Sequence, residues 1–375
     1  VVSSGDAPSG PPVDDAALVK QRLKVCFRAD ASLSIGAGHL SRCLTLAESL
    51  KRRGAHITFV CAAGSCAFVP RVSEIADAVI ELPHSAAEVD RSTNDSWLTV
   101  SPATDAEMTI AALAGITVDW LVVDHYGIDA TWESLLRPLV GKVMVIDDLA
   151  NRKHDCDVLL DQNLRPEGAA SYSGLVPPKA QVVQGPEFAL LRDEFTVGRQ
   201  RHDRTDLGRI LVSFGGVDGA NGTALALGAL DALDSKRSVV DVVIGAHHPD
   251  RDGIVEHCRN LGYLCHVQTS EIANLMDAAD LAIGAGGASS WERCIVGLPT
   301  VIVVTADNQA LIAAELAERG AAINLGSIAT VSTTMIADNI HSLKRDPRRL
   351  QKMSQAAYGL LNDRTDISEL IYRGC

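Results

Sequence analysis

Twice along this chain a near-continuous apolar run breaks into a glycine loop and restarts as a helix. The first instance is VCFRADASLSIGAGHLSRC at 25–43. The second begins with RILVSF at 209–214, passes through Gly215-Gly216-Val217-Asp218-Gly219 and enters an apolar helix over 223–233. A strand that turns through glycine into a helix N-terminus opens a Rossmann-like α/β unit. Two such openings predict two Rossmann-like domains facing one another, each with a parallel sheet. Runs at 56–61 (HITFVC), 78–82 (AVIEL), 119–124 (DWLVVD), 143–146, 158–160, 239–244, 280–283 and 299–304 complete the pattern. Most lack polar alternation, as strands covered on both faces do.

Length agrees with two cores, because 375 residues exceed what one hydrophobic core usually serves. The domains are expected at 23–198 and 209–375, with a charged linker at 199–208 and a final helix that packs back on the first domain. Residues 1–22, rich in Ser, Gly, Pro and Asp, are expected to be disordered. The 84–104 segment is polar apart from Trp97 and reads as an exposed loop; GAHHPD at 245–250 reads as a solvated one. A net charge of −13 argues against a nucleic-acid groove or an anionic membrane as the main partner. No apolar run reaches transmembrane length and no secretory leader is visible, so a cytoplasmic protein acting on a small substrate is expected. The nine cysteines never fall in Cys-x-x-Cys spacing, so neither a zinc ribbon nor a disulfide framework is indicated.

The first glycine loop carries a chemical group. Gly36 and Gly38 are expected to take backbone angles closed to other residues, leaving the first helical amides free for an anion. His39 on that turn lies in a field that disfavours imidazolium, which suits a general base; helix capping is the alternative for a lone histidine. The loop is not a dinucleotide fingerprint, since Ser41 stands where the third glycine would fall, and it lacks the Lys-Ser/Thr of a P-loop. In open α/β sheets the crevice lies at the strands' C-terminal ends, so Asp124, His125, Tyr126, Asp147, Asp148, Asp161 and Asn163 are expected around one cleft. Tyr126 fits an active-site or a packed tyrosine equally. Asp147, Asp148 and His154 make a weak metal site, because adjacent carboxylates on extended chain point apart.

The second chemical centre is GAGGASSWE at 284–292. Gly286 and Gly287 would let a diphosphate approach the backbone, and Ser289 and Ser290 would cap the helix and donate to phosphate. Glu292 is placed to accept a ribose diol, or else complements the helix dipole. Asn308 and Gln309 follow the last core strand and so also fall at the cleft.

With both loops placed, the blocks FRADAS, IGAGHLSRCLTLA, VVDHYGID, VIDDLANRKHDCDVLLDQN, LLRDEF, SFGGVD, GAGGASSWE and TADNQ resemble, in order and spacing, the nucleotide-sugar hydrolases of pseudaminic acid synthesis. These are the UDP-2,4-diacetamido-2,4,6-trideoxy-β-L-altropyranose hydrolases, with the related spore-coat polysaccharide proteins. The resemblance runs from about residue 24 to the C-terminus. It implies the two-domain GT-B fold and hydrolysis of a UDP-sugar to UDP and free sugar with inversion at the anomeric carbon. A monomer that needs no cofactor or metal is expected. His39 would be catalytic with Tyr126 as its partner. Gly36, Gly38, Arg42, Asp124, Asn308 and Gln309 would meet the substrate on the sugar side. Glu292 would bind ribose, Gly286, Gly287, Ser289 and Ser290 the diphosphate, Gly215 and Gly216 would flank it, and the backbone at Ile272 would meet uracil. One departure is Ser41, where the family commonly has a larger residue such as methionine. A GT-B glycosyltransferase and a catalytically silent nucleotide-sugar-binding protein are the alternatives.

Overall fold

The computed structural model describes residues 22–83, 97–196, 204–233 and 238–374. The expected N-terminal extension up to residue 21, most of the 84–104 segment and residues 199–203 of the expected linker lie outside that set. The first sheet has seven strands: β1 (Lys24–Ala29), β2 (His56–Ala62), β3 (Ala78–Leu82), β4 (Val118–Asp124), β5 (Val140–Ile146), β6 (Val158–Asp161) and β7 (Gln181–Gln184). The second has six: β8 (Arg209–Ser213), β9 (Val239–Ile244), β10 (Leu264–Val267), β11 (Leu281–Gly284), β12 (Thr300–Val304) and β13 (Ala322–Ser327). Around them lie α1 (Gly38–Arg52), α2 (Arg71–Ile75), α3 (Pro102–Ala112) and α4 (Ala130–Leu136) in the first lobe. The second lobe carries α5 (Gly222–Ala232), α6 (Arg251–Leu261), α7 (Ile272–Ala278), α8 (Ser289–Ile295), α9 (Ala310–Glu318), α10 (Thr333–Arg345) and α11 (Pro347–Gly359), followed by α12 (Ile367–Arg373).

Strand order is β3-β2-β1-β4-β5-β6-β7 in one sheet and β10-β9-β8-β11-β12-β13 in the other, every pair parallel. In each, the chain winds outward from its first strand, then returns to wind the other way. The crevice at that reversal lies between β1 and β4 in one sheet and between β8 and β11 in the other. Those are the ends where IGAGH, DHY, the Gly215-Gly216 loop and GAGGASS emerge. The strands that position these loops are buried: Val25, Phe27 and Ala29 of β1 are at most 1% exposed, and the Phe27 and Phe59 rings stack at 4.9 Å.

Three strands escape a reading by apolar run, namely β7, β10 and β13. All lie at sheet edges, where one side faces no strand and polar residues such as Gln181, His266 and Asn324 are tolerated. The 84–104 loop is also corrected at its end. Ser101 Oγ accepts from Thr104 N at 3.2 Å and Pro102 occupies the first helical position, so α3 begins inside that segment. Leu98 just before it is 1% exposed. The last helix, α12, sends Ile367 and Ile371 into the core cluster of Leu46 and Leu50 from α1. Among the described residues no helix is long and apolar enough to cross a membrane.

Arg204 enters the second lobe as a clamp. It is 3% exposed, and its guanidinium donates to the carbonyls of Met276, Asp277 and Ala279 at the end of α7 and of Val296 and Gly297 at the end of α8. Two helix C-termini, each with unpaired carbonyls and a partial negative charge, thus share one cation.

Candidate functional site

On the first lobe the loop from β1 to α1 is pinned by hydrogen bonds in both directions between Ser32 and Gly36, and Gly36 turns with φ 78°. Gly38 does not share that conformation, contrary to expectation. It is the first residue of α1, and a side-chain carbon there would meet nothing within 4 Å. His39 follows, 7% exposed, with Nδ1 2.5 Å from Asp124 Oδ1. The register that pairs Ala29 with Asp124 brings the end of β4 beside the start of this loop.

Asp124 is fully buried. Burial alone would raise its carboxyl, but the Arg42 guanidinium, and then His39, hold it well below the usual range. It accepts from Arg42 Nε and, at 2.7 Å, from Nη2. An ionised carboxylate against Nδ1 requires the hydrogen on Nδ1, which leaves the Nε2 lone pair as the basic site. The helix terminus is therefore not the only field acting on His39. Arg42 and Asp124, expected at the substrate, are both buried and bonded to each other, with Asp124 also on His39. Arg42 Nη1 continues to Asp148 Oδ2 at 2.9 Å, and Asp148 Oδ1 accepts from the Tyr126 hydroxyl at 2.7 Å. Tyr126 stands edge-on to His39, ring centres 4.4 Å apart. Burial, then the Asp148 charge, pushes its phenol well above the ordinary value, so it acts as a hydrogen-bond donor and not as a base.

The seven polar residues expected in one cleft divide. Asp124, Tyr126 and Asp148 join His39. His125 turns to Asp30, Nε2 to Oδ2 3.2 Å, while Asp147 and Asp161 both accept from the buried Tyr172 hydroxyl at 3.1 and 3.0 Å. Burial lifts the Asp161 carboxyl to about 6 against the pull of Arg165. His154 Nδ1 is held 2.7 Å from Glu133. Asp147 and Asp148 thus point to different partners, and among the described residues no group of three or more His, Cys, Asp or Glu is arranged to hold a metal.

On the second lobe, Gly215 turns with φ 97° and Gly216 lies 4.0 Å, by its missing side-chain carbon, from Ala37 across the cleft. The helix after them is already capped by an anion: Asp218 accepts from Gly222 N and Thr223 N, each at 2.8 Å. A ligand there meets the glycine backbone, not the helix end. His248 corrects the solvated-loop reading of GAHHPD, being 4% exposed with Nε2 3.3 Å from Asp218. His247 reaches the other lobe, Nε2 to Ala67 O 3.3 Å, with its ring 4.5 Å from Phe68.

In GAGGASSWE, Gly284 allows a close approach: a side-chain carbon would collide with Ser213 O and lie 2.9 Å from Arg293 Nη1. Neither serine caps α8. Ser290 is 1% exposed and accepts from Arg293 Nη2 at 2.9 Å; Ser289 is half-buried, its Oγ 3.4 Å from Arg293 Nη1. Gly286 is buried, its missing side-chain carbon 3.3 Å from both Gln309 O and Ile302 Cγ2, and Gln309 braces the loop: its Oε1 accepts from Gly286 N at 3.3 Å and Thr305 N at 3.0 Å. Gln309 thus holds the loop through Oε1, while its Nε2 lies on the Gly287 side. Glu292 is not free either, since Arg192 donates to Oε1 from Nε at 3.1 Å and Nη2 at 2.9 Å, leaving Oε2. Ile272 opens α7, where its amide has no intrahelical acceptor.

Three further contacts tie the lobes together. Asn308 Nδ2 donates to the Tyr126 hydroxyl at 2.9 Å, Trp291 Nε1 to Asn163 Oδ1 at 3.1 Å, and Arg192 to Glu292 as above. Two site residues went unrecognised in the sequence. Arg192 sits in a charged stretch without apolar period, and Trp97, whose ring lies 5.1 Å from Tyr126, sits in a segment that reads as polar loop. The LLRDEF block was the one available signal for Arg192.

Residues 215–371 match the glycosyltransferase family 28 C-terminal domain. The chain is 25% identical over 300 residues to a UDP-2,4-diacetamido-2,4,6-trideoxy-β-L-altropyranose hydrolase of Campylobacter jejuni, covering 80% of this chain and 97% of that one. It is 26% identical to the Bacillus subtilis spore coat polysaccharide biosynthesis protein SpsG, over 81% and 84% of the two chains. Among solved structures, Acinetobacter baumannii MurG superposes with a TM-score of 0.61 at 14% identity, over 94% of this chain and 99% of that one. The kitacinnamycin glycosyltransferase gives 0.64 at 18%, over 94% and 98%. The chain has the GT-B fold of two Rossmann-like domains, and its resemblance to the hydrolases and to the spore-coat protein holds along most of its length.

Proposed function

We propose that this chain hydrolyses a UDP-linked diacetamido-trideoxy sugar, UDP-2,4-diacetamido-2,4,6-trideoxy-β-L-altropyranose, to UDP and the free sugar, in the synthesis of nonulosonic (pseudaminic) acid. The observation that carries the reading is the His39–Asp124 pair at the crevice of the first sheet, since a carboxylate-oriented imidazole is the base a water nucleophile needs. UDP would lie on the second lobe: uracil against the backbone at Ile272, ribose on Glu292 Oε2, and diphosphate over Gly286, Gly287 and Ser289 with Gly215 and Gly216 opposite. The sugar would reach between Tyr126 and Asn308, displacing the bond that joins them. His39 Nε2 takes a proton from water as its oxygen bonds to C1. The C1–O bond to UDP breaks with its electron pair on the phosphate, where backbone donors meet the growing charge. Asp124 stabilises the imidazolium formed. Attack from the face opposite UDP inverts C1.

In ¹⁸O-water the label is expected in the free sugar and not in UDP, with the first-formed anomer, read by NMR, inverted. Label in the nucleotide would mean cleavage at phosphorus and would sink the mechanism. Activity is also expected to survive exhaustive chelation, because Asp147 and Asp148 are engaged by Arg152, Tyr172, Arg42 and Tyr126. Loss under EDTA restored by Mg²⁺ would contradict it.

A glycosyltransferase reading draws support from the fold shared with the kitacinnamycin glycosyltransferase and from the family 28 match. The same base would then deprotonate a sugar hydroxyl. UDP release from the UDP-sugar in water alone, unaccelerated by acceptors, supports hydrolysis; strict dependence on an acceptor supports transfer.

A further inference from the structure

Arg293 lies beneath the loop of residues 284–290, and among the described residues its guanidinium makes no salt bridge with a carboxylate, though the Glu292 charge lies near enough to act on it. It is 2% exposed; Nη2 donates to Ala285 O at 2.5 Å and to Ser290 Oγ at 2.9 Å, and Nη1 approaches Ser289 Oγ at 3.4 Å. Its Nε has no hydrogen-bond partner. Glu292, its neighbour in sequence, is held by Arg192 instead. Among the described residues no carboxylate is ion-paired with it, in contrast to the equally buried Arg28, which has both Asp30 and Asp105. Burial accordingly lowers the Arg293 pKa to about 10. A buried cation without a counter-ion is unfavourable, and it is retained most readily where an anion completes it.

The missing side chains above it fit that role. Gly284 leaves Arg293 Nη1 directly under the chain, and at half-buried Gly287 the missing side-chain carbon meets only Gln309 Nε2, at 3.9 Å. Since α8 has only seven residues, its dipole is a weak source of positive potential. We propose that Arg293 is the positioning residue for the diphosphate, its guanidinium supplying from below the positive charge that the 284–290 backbone presents to the two phosphates. The inference rests on the nucleotide site placed on this lobe and adds the group that makes it prefer a charged nucleotide.

The test is to measure uridine and UDP binding by calorimetry for the wild type, R293K and R293M, with circular dichroism as the check on folding. Wild type is expected to prefer UDP strongly. R293M should lose about 30-fold or more of that preference while uridine affinity stays within about 3-fold, because uridine carries no charge for Arg293 to act on. R293K keeps the cation and should retain the preference within about 5-fold. A folded R293M that still prefers UDP as wild type does, or that loses uridine and UDP affinity in parallel, overturns the inference while leaving the nucleotide site in place. Should R293M fail to fold, R293K decides: preference kept supports the charge role, and preference lost refutes it. Wild-type protein that binds uridine and UDP equally removes both the site and this inference.

Discussion

Replacing His39 by asparagine is expected to lower kcat for UDP release by about 100-fold or more, with KM changed less than about 3-fold. Asparagine is close in size and can still donate to Asp124 Oδ1 through its amide, so the Asp124–Arg42–Asp148–Tyr126 chain keeps its partner. What disappears is the lone pair at the Nε2 position. In the proposed placement the nucleotide contacts would lie on the other lobe, which is why the loss should fall on kcat. Steady-state kinetics with the UDP-sugar, beside a UDP titration to show that nucleotide affinity is unchanged, make the measurement. Turnover within about 3-fold of wild type would remove His39 from the chemistry and leave it as a buried structural histidine.

The largest effect on stability is expected at Arg204. Replacing it by methionine keeps much of the side chain's bulk but removes the Arg204 donors from five carbonyls at the ends of α7 and α8, of which Gly297 O retains a second donor, Ser354 Oγ at 2.6 Å. Losing these charge-assisted bonds at two helix C-termini is expected to cost about 3–5 kcal/mol. Urea unfolding followed by the fluorescence of Trp291, which lies within the second lobe, reports it as a lower midpoint. A midpoint unmoved within error would mean that the carbonyls are solvated without penalty and that Arg204 holds nothing together.

Local pattern determined a great deal here. The unbroken apolar runs marked the buried parallel strands, and glycine after a strand marked the loops. Because parallel strands place their C-terminal ends on one side, adjacency of His39 and Tyr126 to two such ends was enough to place both at one crevice. The reading of Glu292 as a carboxylate at a helix start was also local.

Partnership was decided only in three dimensions. His39 and Asp124 are 85 residues apart and meet because β1 and β4 are neighbours in register; Arg192 and Glu292 are 100 apart and meet across the lobes. No run of residues encodes which of two adjacent polar side chains turns inward. Ser290 points to Arg293 while Ser289 stays half-exposed, and Asp147 turns to Tyr172 while Asp148 turns to Tyr126, because helix phase and strand alternation put neighbours on different faces. The edge strands β7, β10 and β13 were hidden for a related reason: with one side unpaired they need little apolar surface, and only the sheet beside them makes them strands. Sequence thus specified which segments are buried, a property each segment carries in its own side chains. The pairing of charges came from the packing of distant elements, a property that no segment carries alone.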